Sequence, residues 1–153
     1  MPGFRDGPDG VALLHDPTAL AVAGDRVYVA DTANNAIRRI EPGGSIVTIA
    51  GLRGRTGYRD GTPLESEFNY PRGLAVDAAG DVYVADTANH VVRKILVAGG
   101  GVRTVAGLYE QVGHYDGTGE SARFNEPRGI AVAPDGTMVV ADTWNHQVRR
   151  LRP

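Results

Sequence analysis

Along this chain apolar and polar residues alternate in short bursts, without the three-to-four-residue spacing of a helix face. Val82 and Val84 oppose Tyr83 and Ala85 at period two, and both sets are apolar. A strand that is apolar on two faces is one that expects cover on two faces. In the middle of the chain the pattern predicts four short strands, at 74–77 after a proline turn, then at 81–85, 91–97 and 102–106. Residues 78–81 (Ala-Ala-Gly-Asp), 86–90 (Asp-Thr-Ala-Asn-His) and the glycines at 99–101 supply the three reversals. Four meandering strands with two apolar faces describe one sheet sandwiched between two others like it.

The same pattern recurs. Pro71-Arg72-Gly73-Leu74-Ala75-Val76 returns as Pro127-Arg128-Gly129-Ile130-Ala131-Val132, and more loosely as Pro17-Thr18-Ala19-Leu20-Ala21-Val22. Val-Ala-Asp-Thr occurs three times, placing Asp31, Asp86 and Asp142 at intervals of 55 and 56 residues. An Ile/Val-Arg-Arg/Lys-Ile/Leu element follows at 37–40, 92–95 and 148–151, and an Asp-Gly pair opens each unit at Asp6, Asp60 and Asp116. A repeat of this length signals a stack of supersecondary units, so the chain reads as one all-β domain with units at about 3–56, 57–112 and 113–153. The third unit has no counterpart of 98–112, so it is expected to lack its outer strand. Its last strand, at 147–152, ends in arginines and Pro153, which guard an uncovered edge.

The combination Asp-Gly…Ala-Arg-Phe-x-x-Pro-Arg-Gly-Ile-Ala-Val, followed by Val-Ala-Asp-Thr-x-Asn-His-x-Val-Arg, resembles the NHL repeat over essentially the whole chain. The resemblance implies a β-propeller, commonly of six blades in that family, of which this chain would supply three. The first unit departs most, with Thr18-Ala19 in place of Arg-Gly and Leu14 where Phe68 and Phe124 stand. Three blades do not close a ring, and alone they would leave two apolar blade faces in water. Two copies joined head to tail would bury both, so a homodimeric six-bladed ring is expected; the other source of three more blades is a longer natural propeller.

Composition adds constraints rather than a function. Twenty-one glycines and nine prolines suit a turn-rich fold. A net charge of −2 gives no overall pull toward nucleic acid or an anionic membrane, and no apolar run is long enough for a membrane-spanning helix. The chain begins without a basic-then-apolar signal region. It has no cysteine, which excludes disulfides, thiolate metal sites and thiol nucleophiles while leaving the compartment open.

Candidate chemistry is sorted by recurrence. A residue present in every unit serves what every unit needs, which is structure; a residue that breaks the pattern is the better functional candidate. By that criterion Asp31, Asp86 and Asp142 are turn-bracing scaffold. Arg38, Arg93 and Arg149, with Arg39, Lys94 and Arg150, are expected to lay their stems over a blade face with charges toward aspartates or water. The histidines show no metal-ligand spacing, no calcium loop occurs, and none of Ser45, Ser66 and Ser121 lies in Gly-x-Ser-x-Gly. No catalytic residue, metal or cofactor is therefore expected. The resemblance does extend to metal-dependent lyases and lactonases, but the inner strands here, led by Leu20, Leu74 and Ile130, are apolar where such a site needs carboxylates. What remains is the end of the blades carrying the long lead-in loops (51–72 and 107–128) and the turns after each second strand. There Arg72, Arg128, Tyr70, Trp144, His90 and His146 form the expected contact set for a protein or peptide, with a glycan or other anion reached through the arginines. The reading is a non-catalytic binding module; the alternatives are a metal-dependent lyase-like enzyme and a built or excised propeller fragment with no ligand of its own.

Overall fold

The computed structural model describes residues 1–152, so the expected guarding proline, Pro153, lies outside the described residues. The described residues are all-β, with eleven strands in three antiparallel meanders. The first sheet holds β1 (Pro17–Ala23), β2 (Arg26–Asp31), β3 (Ala36–Ile40) and β4 (Ile46–Ala50). The second holds β5 (Pro71–Val76), β6 (Val82–Asp86), β7 (Val91–Leu96) and β8 (Gly101–Ala106). The third holds β9 (Pro127–Val132), β10 (Met138–Asp142) and β11 (Gln147–Leu151), with β11 at its edge.

The first strand of the middle sheet starts at Pro71, three residues earlier than the proline-turn reading placed it. The turn is made by the residue before the proline: Tyr70 adopts a left-handed φ of 50°, as do Asp16 (51°) and Glu126 (47°) in the other sheets. Proline at the first strand position leaves no ladder donor unpaired, and Pro71 pairs with Asp86 before a bulge ahead of Gly73. Asp81 drops out of β6 because its N–H turns back to the Asp77 carboxylate at 3.0 Å.

The sheets stack through apolar faces. Between the first and second, Tyr28 and Ile37 meet Phe68, Leu74, Val84 and Ile95; between the second and third, Tyr83 and Val92 meet Phe124, Met138, Val140 and Leu151. Burial of each such side chain is worth about 1.5–3 kcal/mol. The inner strands β1, β5 and β9 lie side by side. Gly73 permits this approach, since a Cβ there would stand 2.5 Å from the Arg128 carbonyl oxygen of the next sheet.

Candidate functional site

Each sheet is locked to its own lead-in loop by the same buried clamp. In the middle sheet, Asp86 accepts the Asn69 N–H (2.8 Å), the Asn89 side-chain amide (2.9 Å) and the Arg93 guanidinium (2.8 Å). Arg93 then donates to the carbonyls of Glu67 (3.0 Å) and Arg59 (2.7 Å) and to Asp60. Asp31–Asn34–Arg38 and Asp142–Asn145–Arg149 repeat the arrangement. Arg38 and Arg93 are fully buried and Arg149 nearly so. The charges do meet aspartates, as expected, but the guanidiniums are enclosed rather than laid over a blade face toward water: two carboxylates and two carbonyls meet each one, which makes the interior tolerable for it. Burial pushes the Asp86 carboxyl up to about 6, against the opposing pull of Arg93 and its hydrogen bonds.

The clamps bring two loop sets to one end of the sheets, as expected. Each second strand ends in a 3-10 turn, Thr32–Asn34, Thr87–Asn89 or Thr143–Asn145. The turn amides of Ala33, Ala88 and Trp144 bond the carbonyls of His15, Asn69 and Asn125 in the lead-in loops. The lead-in loops are less free than their length implied. Gly7 and Gly61 exchange backbone bonds with Ile46 and Val102 in the outer strands, so part of each loop belongs to the sheet.

The six sequence candidates fall at this end but do different things. Tyr70 is 45% exposed, and its N–H is held by Asn35 Oδ1 at 2.8 Å. The Arg72 carbonyl accepts the Thr18 hydroxyl at 3.2 Å; Thr18, Arg72 and Arg128 are the second residues of the neighbouring inner strands β1, β5 and β9. Arg128 pairs with Glu126 at 2.8 Å with both partly exposed. Trp144 presents its ring to solvent at 59% exposure. His90 is half-buried, and its Nδ1 accepts the Glu126 N–H of the next sheet at 3.1 Å, which ties one nitrogen to a structural bond. Burial holds its imidazole below the ordinary histidine range, with Glu126 and Asp142 pulling the other way. His146 occupies the same left-handed position in the third sheet and is exposed.

Two sets of bonds that the sequence reading did not single out join neighbouring sheets. The Thr32 hydroxyl donates to the Pro71 carbonyl at 2.7 Å, and Thr87 does the same to Pro127 at 2.7 Å. Asn35 and His90 each cap the N–H of a left-handed residue, Tyr70 or Glu126, in the following sheet. Their signal was present as recurrence in register, but the partner lies in the next repeat and periodicity alone does not identify it. Among the described residues no group of three or more His, Asp or Glu side chains is gathered as for a metal ion.

The NHL repeat family model matches residues 68–95 and 124–151. Human NHL repeat-containing protein 2 is 34% identical over 97% of this chain, which spans 23% of that protein. A Bacteroides thetaiotaomicron structural genomics protein of unknown function aligns at 29% identity with a TM-score of 0.77, over 82% of this chain and 32% of that one. A Bacteroides ovatus structure described as an auxiliary nutrient binding protein aligns at 26% identity with a TM-score of 0.70, over 82% and 34%. The chain thus spans less than a quarter of this curated relative and about a third of these solved neighbours.

Proposed function

We propose that this chain, a member of the NHL-repeat family, is a non-catalytic binding module that engages a protein or peptide through its loop end. The observation that carries the reading is the division of labour among its polar residues. The recurring Asp, Asn and Arg side chains are consumed in the clamps. The residues that break the pattern, Tyr70 and Trp144, are exposed at one end of a braced scaffold, together with Arg72 and Arg128, which recur in two of the three units and give way to Thr18 in the first. Arg72 and Arg128, on the same end as the exposed Tyr70 and Trp144 rings, offer charge to an extended segment carrying a carboxylate, Arg128 by exchanging its partly exposed partner Glu126. A structural neighbour described as a nutrient binding protein is consistent with a recognition role.

The module completes itself by head-to-tail closure of two copies into six blades. The faces at its two ends differ and are both apolar: Leu20 and Val22 are 66% and 70% exposed at one, and Val148 is 76% exposed at the other. The bonds that join successive sheets supply the pattern. Thr143 and His146 occupy in the third sheet the positions of Thr87 and His90, and Pro17 and left-handed Asp16 occupy in the first the positions of Pro127 and Glu126. A second copy would bring these together.

The test is calorimetric screening of an array of acidic peptides against the parent and an Arg72→Ser/Arg128→Ser double variant. Saturable binding that the double variant loses is the expected result. Hits indifferent to both arginines, or a stoichiometric metal ion whose chelation abolishes an enzymatic turnover, would overturn the reading.

A further inference from the structure

We propose that Glu126 is a tethered occupant of the anion-binding position at Arg128, latched there by the hydrogen bond from its N–H to His90. Protonation of His90 releases the latch and opens the arginine to a ligand. This regulation rests on the loop-end reading for the identity of its ligand. At neutral pH Arg72 is then open and Arg128 closed.

The latch lies at the junction of the second and third sheets. Three consecutive residues leading into β9 are each held by a different group. Asn125 gives its N–H to Asp142 at 2.7 Å, Glu126 gives its N–H to His90 Nδ1 at 3.1 Å, and the Pro127 carbonyl accepts the Thr87 hydroxyl at 2.7 Å. Held in this way, Glu126 sits at a left-handed φ of 47°. Sterics disfavour that conformation for a residue with a Cβ, and a following proline pushes it further toward extended backbone. The turn folds the Glu126 carboxylate back onto Arg128, two residues on, at 2.8 Å. An anion arriving at Arg128 has to displace it.

The preceding junction shows what is particular to this one. Asn69, Tyr70 and Pro71 are held at the same three points, by Asp86 at 2.8 Å, Asn35 at 2.8 Å and Thr32 at 2.7 Å. Tyr70 is left-handed as well. But Asn35 does not titrate, and Tyr70 brings no carboxylate to Arg72. The acid and the histidine thus occur together at one junction, and neither occurs at the other.

A protonated imidazole carries an N–H on both nitrogens. Nδ1 of His90 then turns from acceptor to donor and faces the Glu126 N–H as a like group. The left-handed turn loses its holder and relaxes toward extended backbone, which carries the carboxylate off Arg128. The surrounding charges set the pH window. Burial disfavours the imidazolium and prevails over Glu126 and Asp142, which favour it. The inner strands on either side, β5 and β9, carry Arg72 and Arg128, and Arg93 in the strand that follows is spent on Asp86 and Asp60. Opening is therefore expected below the ordinary histidine value of 6.5. Asp86, at the foot of the same turn and pushed up to about 6, titrates in the same range, so the experiment separates the two.

The probe is inorganic sulfate, whose charge is constant in this range, titrated at pH 7.5 and 5.5 at fixed ionic strength. It is read by carbon-detected NMR of the Arg128 and Arg72 guanidiniums, with Arg72 as the internal reference for the general gain of positive charge in acid. In the parent, sulfate affinity at Arg128 relative to Arg72 should rise about two- to fivefold from pH 7.5 to 5.5, the worth of a partly exposed ion pair. Glu126→Gln should show the higher ratio already at pH 7.5. His90→Asn, in which an asparagine takes over the cap as Asn35 does, should keep the lower ratio at both values. Amide spectra verify that both variants are folded. The latch is refuted by a flat ratio in the parent or by an unchanged ratio in Glu126→Gln at pH 7.5. It is refuted equally by a His90→Asn variant that follows the parent, which would assign the response to Asp86. Sulfate gated at Arg128 with no acidic peptide bound at either pH would sink the loop-end reading and leave the latch standing. A peptide bound through both arginines equally well at the two pH values would do the reverse.

Discussion

An arginine with no exposed surface is held in this fold by two carboxylates of different standing. Arg93 spans from Asp86, wholly buried, to Asp60, whose side chain is 41% exposed. Removing one member of a buried pair leaves the other charged and without its match, at a cost of about 3–5 kcal/mol. Asp86→Asn leaves Arg93 its second carboxylate, Asp60, and removes a charge that burial already disfavours, so the loss in urea unfolding is expected to fall below that figure, at about 1–3 kcal/mol. Asp142→Asn should cost less, because Arg149 is slightly exposed and its other partner, Asp116, is open to solvent that screens the loss. Equal losses at the two positions would mean that the clamp is not the source of the effect. The recurrence of Asp31, Asp86 and Asp142 marked them as scaffold from the sequence, whereas the burial of the arginines was not legible there. Arginine is rarely buried, and only the return of the lead-in loop over the sheet encloses it.

Between sheets the bonds are few and local, so they respond to single changes. His90 must be neutral at Nδ1 to accept the Glu126 N–H, and burial holds its pKa below the ordinary value of 6.5. The unfolded chain therefore takes up this proton at higher pH than the folded one does. Stability from this group is intact above about pH 6.5 and is lost as pH falls through the folded pKa. Asn35 shows that an asparagine fits the same left-handed position and caps Tyr70 without titrating. His90→Asn should accordingly match the parent at pH 8 and show a shallower loss of stability below about pH 6.5; an unchanged slope of urea midpoint against pH would refute it. Four strands in order were legible from period two and turn residues. The early start of β5 was not, because it depends on a left-handed Tyr70 held by Asn35 from the preceding sheet.

For the whole molecule, the decisive feature is that the two terminal faces are apolar and unlike. Head-to-tail closure then has a signature in mixing. Leu20→Glu spoils one face and Val148→Glu the other, so under the proposed closure each variant alone should sediment as a monomer and the parent as a dimer. Mixed in equal amounts, the two variants retain one sound junction between them and should recover a weaker, open dimer. A face-to-face dimer would instead leave one of the variants fully associated, and a parent that stays monomeric at micromolar concentration would rule out self-closure.

What the sequence determined by itself was the repeat, the all-β class, the strand order within each unit and the separation of scaffold residues from exceptions. Each of these is written in local spacing: period two, turn chemistry, and a motif returning every 55 or 56 residues. What only the tertiary structure decided was which groups from different repeats meet. Thr87 with Pro127, His90 with Glu126, and Asp6 and Asp60 each holding an outer strand are all relations across the chain. The physical reason is that a hydrogen bond is fixed by the distance and angle between its two partners, and between residues tens of positions apart only the folded backbone sets these.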